Sequence, residues 1–155
     1  MAALEKRRII ITGSRRTGEW RASIRIKPSI ATKWAEKVYL NTLGGGFPEM
    51  QVDSLNHDRG EVGFVSVSRS PRQRRPPIVA GTYLVPPARG RGLGKELYRA
   101  LAKHIAKTSK YVGISSLAEN RNAKSDRLWS SFKEKGRWGV YDVLPGRPYK
   151  KKKKR

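Results

Sequence analysis

The stretch Ile78–Lys107, "IVAGTYLVPPARGRGLGKELYRALAKHIAK", decides the fold. Its opening "IVAGTYLV", 78–85, is an apolar run closed by Pro86 and Pro87. Such a run predicts a central strand. The glycine-rich "RGRGLG" then turns the chain into a helix from about Gly92 to Lys107. There Leu93, Leu97, Leu101 and Ile105 recur every fourth residue and form a stripe for burial. Lys95, Arg99, Lys103 and Lys107 form a basic ridge beside it. "YVGISSL", 111–117, supplies the next strand, so 78–117 is expected to be a right-handed crossover joining parallel strands.

Working outward, 7–12 and 20–27 read as two strands around the turn "GSRRTGE". Pro28 opens a helix to about Thr42, with Ile30, Ala31, Trp34, Ala35 and Val38 at helical spacing, and "GGG" at 44–46 stops it. Residues 50–55 and 61–69 are a strand pair across "NHDRG". "SPRQRRPP" is a loop, because its prolines cannot join a ladder. Residues 120–135 form an amphipathic helix with Leu128, Trp129 and Phe132 inward, Gly136 ends it, and 137–144 is a last strand. The expectation is one α/β domain over 1–148. A mixed, mostly antiparallel sheet of about six to seven strands is flanked by about three helices. A basic tail, 149–155, is too polar to fold.

The totals narrow the function classes. A chain of 155 residues suits one domain with a real core. It has no cysteine, so disulfides, thiolate nucleophiles and cysteine–zinc sites are excluded. Its two histidines, His57 and His104, argue against a multi-histidine metal centre, and no metal is expected. No apolar run approaches the roughly 20 residues of a membrane span. The start "MAALEKRRIIITG" lacks the apolar core of a secretory signal. The expected location is a reducing intracellular compartment: the cytoplasm, or a nucleoid or nucleus reached through the tail. The charge is the dominant global property. Thirty-five Lys and Arg against 12 Asp and Glu give +23. The terminal Lys150, Lys151, Lys152, Lys153, Lys154 and Arg155 carry only six of these charges, so the excess is spread through the fold. A nucleic acid or another acidic partner is expected. The contact candidates are that tail, the loop residues Arg72, Arg74 and Arg75, and the ridge Arg99, Lys103 and Lys107. A solvated surface is the plain alternative for each.

The glycine turn suits an anion. Gly90, Gly92 and Gly94 let the backbone approach a ligand, and the helix presents its first N–H groups with the positive end of its dipole behind them. Arg89, Arg91 and Lys95 add charge. The Gly–Lys–Ser/Thr ending of a P-loop is absent, and the glycine spacing is wrong for a dinucleotide fingerprint. A purely structural turn is the competing reading.

In this setting "VPPARGRGLG" resembles the acetyl-CoA signature of the GCN5-related N-acetyltransferases, Arg/Gln-x-x-Gly-x-Gly/Ala, at Arg89, Gly92 and Gly94. "NRNAKSDRLWSSFKEKGRW" is similar to that family's last helix. The resemblance runs from about 61 to 140 and is poorest in the hairpin 7–27. It implies a V-shaped opening between strands 78–85 and 111–117 that holds acetyl-CoA. The diphosphate would lie on residues 90–95, and Leu84, Val85, Arg89, Gly90, Arg91, Gly92, Leu93, Gly94, Lys95 and Asn122 would contact the cofactor. The family's thiolate acid, a tyrosine of the last helix, falls here on Trp129 or Phe132, neither of which has a phenol proton. Tyr98, Tyr111 and Tyr141 are stand-ins, or ordinary half-buried aromatics. Glu61 and Glu119 are the candidates for a general base acting through water; the alternative for each is a solvated strand-end carboxylate. A second helix after the first strands and a seventh strand at the end are missing, so that edge is open or completed by a partner, a dimer included.

Two functions follow. One is an acetyl-CoA-dependent N-acetyltransferase acting on an amine of a polyanion or bound to one: an aminoacyl-tRNA, modified DNA or a nucleic-acid-bound protein. The other is a catalytically degenerate protein on the same fold, serving as a basic nucleic-acid-binding or structural protein.

Overall fold

The computed structural model of the chain describes residues 2–14, 16–43, 54–69, 76–109, 111, 113–116, 128 and 140–142. A short helix α1 (Ala2–Glu5) precedes strands β1 (Arg8–Ser14) and β2 (Glu19–Arg25). Helix α2 (Pro28–Leu43), strands β3 (Glu61–Ser68) and β4 (Ile78–Leu84), helix α3 (Leu93–Thr108) and strands β5 (Ile114–Ser116) and β6 (Val140–Asp142) follow. α1 has no counterpart in the sequence reading. Of the strand expected at 50–55, residues 50–53 lie outside the described region, and Ser54 and Leu55 are not in a strand.

The strands form one sheet of six in chain order, β1-β2-β3-β4-β5-β6. The first three pairings are antiparallel and β4 is parallel to β5, as the crossover requires. β6 also runs parallel to β5, with Ile114, Ser115 and Ser116 opposite Val140, Tyr141 and Asp142. A parallel neighbour needs a crossover of a dozen residues or more. Residues 117–139 are long enough to make one.

Period-two alternation sets what the sheet buries. Trp20, Ala22 and Ile24 are buried along one face of β2, and both α2 and α3 contact β3, which is buried continuously from Glu61 to Val65. α3 buries the predicted stripe Leu93, Leu97, Leu101 and Ile105, together with Tyr98 and Ala102. α2 buries Ala31, Ala35 and Val38, with Ile30 and Trp34 packed half-buried beside them. Leu128 packs half-buried on the same core.

The expected central place of β4 holds in the sheet order, and the strand is only partly buried there: Ala80 and Thr82 are exposed, and only Tyr83 within it is buried. Its register with β5 is confined to Ile78 opposite Ser115, where Ser115 N–H donates to Pro77 O at 2.9 Å. From Val79 to Leu84, β3 is its sole strand partner among the described residues. Among the described residues, the two parallel strands meet at this one pair.

Candidate active site

The chain leaves β4 through Val85, whose N–H is taken by Val62 O at 3.0 Å and whose side chain is fully buried. Pro86 and Pro87 preset the one tight turn that follows, closed by Arg89 N–H to Pro86 O at 3.1 Å. Gly90 and Gly92 then adopt φ of 75° and 74°, the left-handed region that costs other residues about 1–2 kcal/mol. A Cβ at either would meet nothing within 4 Å, so the glycines are there for backbone geometry and for an open approach, not to relieve crowding. α3 starts at Leu93, and its first bond is Glu96 N–H to Gly92 O at 3.1 Å.

That arrangement leaves the N–H groups of Gly90, Arg91, Gly92, Leu93 and Gly94 without a protein acceptor among the described residues. Consecutive amides converging at a helix N-terminus make an anion cradle. Glu96, the acid of the first helical turn, would oppose an anion there, but Arg7 Nη2 pairs with it at 3.1 Å. Arg91 is exposed beside the cradle and Lys95 is half-buried. Arg89 is turned back: its Nε donates to Leu84 O at 2.8 Å and its guanidinium stands 5.6 Å from the Tyr83 ring centre. Its first task is therefore to cap the end of β4. Leu93 is buried, and Leu84 is half-buried with its Cδ1 3.7 Å from where a Cβ on Gly94 would stand.

The antiparallel β3–β4 ladder slips between Ser66 and Val67, which face Gly81 and Val79. Ala80 is the extra residue of this bulge and is exposed. Bulges re-aim the backbone beside active sites. Here the bulge lies along the opening expected between β4 and β5, on a stretch whose strand partner among the described residues is β3.

Glu61 is not at that opening. It is fully buried, and its carboxylate accepts from Arg21 Nε at 3.2 Å, from Arg21 Nη2, from the Ser23 hydroxyl and from Asn56 N–H at 3.2 Å. With both oxygens doubly engaged and no solvent access, it cannot relay a proton through water. The sequence reading missed this because its partner is 40 positions away and meets it only through the β2–β3 register. Arg21 also lies over the Phe64 ring, 3.7 Å from its centre, and donates to Ser54 O at 2.7 Å.

The remaining predicted residues divide plainly. Glu119, Asn122, Trp129, Phe132, Arg72, Arg74, Arg75 and the tail 149–155 lie outside the described residues. Tyr98 and Tyr111 are buried at 3% and 7% exposure, and Tyr141 sits opposite Ser115 in the last strand pair. Ser115 is buried, its hydroxyl turned to the Pro76 and Pro77 carbonyls. His57 Nδ1 meets the Thr32 hydroxyl at 3.2 Å, and His104 is half-buried on α3. Of the basic ridge, Lys103 and Lys107 are exposed, whereas Arg99 is half-buried. Among the described residues there is no group of three or more metal-ligating side chains and no helix long and apolar enough to cross a membrane.

The bulge of β4 and the run of glycine-turn amides at its end thus follow one another within 15 residues, Ala80 to Gly94. Residues 8–132 match the Acetyltransferase (GNAT) domain, and the chain belongs to that family. The matched span begins at Arg8 and so takes in the N-terminal hairpin, which the motifs alone had left as the least similar part. No curated protein and no solved structure matches the chain significantly. The domain is of the acetyltransferase kind, and domains of this family generally use acetyl-CoA.

Proposed function

We propose that the protein is an acetyl-CoA-dependent N-acetyltransferase whose acceptor amine belongs to a polyanionic partner or is bound to one. The observation that carries this reading is the run of five amides, Gly90 to Gly94, that have no acceptor among the described residues, at the end of β4. The cradle fits a diphosphate in charge and shape: the amides are donors, and the space above both left-handed glycines is clear. Bound there, acetyl-CoA supplies an acetyl group activated as a thioester.

The chain's own residues do the rest. Gly90–Gly94 hold the diphosphate, with Arg91 and Lys95 adding charge. Val79–Leu84, whose strand partner among the described residues is β3, would offer backbone to the amides of the pantetheine arm, as an edge strand accepts a peptide. A backbone donor at the Ala80 bulge would stabilise charge developing on the thioester oxygen, and a preorganised donor of this kind lowers the barrier to acyl transfer. A thiolate leaving group with a pKa near 8.5 does not demand a strong acid, so the reaction tolerates Trp129 or Phe132 at the tyrosine position. The net charge of +23 favours acceptors that arrive with a polyanion, such as an aminoacyl-tRNA or a DNA-bound amine, over free polyamines.

Titration calorimetry with acetyl-CoA tests the reading. The wild type is expected to bind. Gly92→Glu, which sets a carboxylate in the cradle, is expected to weaken binding by about a hundredfold, in line with the 1.5–3 kcal/mol of hydrogen bonds to charged groups. Absence of binding to the wild type, or equal binding by both, refutes it.

A further inference from the structure

The surface beside the Ala80 bulge carries a charge arrangement that the cofactor cradle does not explain. A groove of about 440 Å³ opens there, and its lining includes Thr17, Glu19, Arg21, Ser66, Ser68 and Ala80. Glu19 and Arg21 are two residues apart on β2, so their side chains leave the same face, beside their cross-strand neighbours Ser68 and Ser66. Glu19 is exposed, and its carboxylate has no partner among the described residues. Arg21 is the opposite: three of its contacts are fixed inward, through Nε and Nη2 to Glu61 and through Nη2 to Ser54 O. Its Nη1 has no partner among the described residues. The buried carboxylate below and the Phe64 ring against it hold the guanidinium in place, so a ligand would not have to order it.

The groove is thus lined both by Glu19, whose carboxylate has no partner among the described residues, and by Arg21, whose guanidinium is held in place; their Cα atoms stand about 7 Å apart along the strand. A bare cation is repelled by the +23 field. A bare anion is attracted by that field, but finds Arg21 already neutralised by Glu61 and meets Glu19 next to it. A ligand that carries both charges satisfies both groups and is not repelled as a whole. We infer that this groove binds a zwitterionic group, a primary amine with a phosphate or carboxylate a few bonds away, with the ammonium on Glu19 and the oxyanion on Arg21. That this group is the acetyl acceptor rests on the acetyltransferase reading above, because Ala80 belongs both to the groove and to the bulge of β4. The binding chemistry itself does not depend on that reading.

The test is a titration of the full chain, without acetyl-CoA, followed by the backbone amide resonances of Thr17, Glu19, Ser66 and Ser68. Phosphoethanolamine and 4-aminobutyrate are the zwitterionic probes; ethanolamine and inorganic phosphate are the single-charge controls. The zwitterions are expected to shift these resonances at concentrations at least about tenfold below either control. Glu19→Gln, an exposed change, is expected to remove that advantage, weakening the zwitterions while strengthening phosphate, which no longer meets a carboxylate there. Arg21→Lys keeps a positive charge against Glu61 but removes the guanidinium edge, and is expected to weaken the zwitterions about tenfold. Its unfolding midpoint, measured in parallel, shows that the fold is kept. Failure of both zwitterions to shift the groove, equal response to a control, or an unaffected Glu19→Gln overturns the inference. A groove that titrates as expected in a protein that does not bind acetyl-CoA upholds the inference and removes only the acetyl donor.

Discussion

Replacing Arg21 by Met should be the most damaging single change in the sheet. The reason is what it leaves behind. Glu61 is fully buried and keeps the Ser23 hydroxyl and Asn56 N–H as donors, but it loses both guanidinium bonds and the only cation in contact with it among the described residues. Removing one partner of a buried ion pair costs about 3–5 kcal/mol, because the other charge stays out of water without compensation. Against a total stability of about 5–15 kcal/mol that is a large share. At about 2–4 °C per kcal/mol for a chain of this size, the melting temperature should fall by roughly 6–20 °C. Arg21→Met/Glu61→Leu removes the stranded charge, and should recover most of the loss, since apolar replacements of buried pairs are often neutral or better. Urea unfolding of the wild type, both single variants and the double variant gives the coupling directly. The reasoning fails if Arg21→Met loses less than about 1 kcal/mol, or if the double variant is as unstable as the two single losses added together.

Two further outcomes separate binding from stability. Gly94→Ala should stabilise the fold by up to about 1 kcal/mol, since Ala is the better helix residue and a Cβ there meets only Leu84 at ordinary contact distance. Gly94 N–H is one of the five amides of the turn, so a methyl on that residue should crowd a bound diphosphate and acetyl-CoA affinity should fall by calorimetry; a variant both more stable and tighter-binding would refute the placement of the diphosphate. Lys103→Glu/Lys107→Glu changes two exposed positions of α3. If they touch nucleic acid phosphates, the slope of log affinity against log salt should drop by about 2, with the melting temperature nearly unchanged; an unchanged slope assigns those lysines to solvent.

The parts of this protein that follow from chain-local physics could be read in order along the sequence. Four aliphatic residues at a spacing of four make α3 and its buried stripe. Prolines then glycines after an apolar strand make the cradle, because φ is set by the residue itself. The +23 charge needs no fold at all to predict an acidic partner. What the sequence leaves unread has one source. The burial of the candidate base Glu61 against Arg21, the exposure of Ala80 and Thr82 on β4, and the shared face of Glu19 and Arg21 each depend on which residue stands across the ladder.

What the sequence determined by itself, then, is most of the described elements, their order and the glycine turn, all governed by interactions within a few residues. Tertiary structure alone decided that Arg21 would meet Glu61 across 40 positions, that Ala80 would bulge out of β4, and that Glu19 and Arg21 would share a groove. Register is the physical reason. A slip of one residue between β2 and β3 would turn every one of these side chains to the other face. Nothing in the local sequence of either strand specifies that alignment; the packing of the whole sheet does.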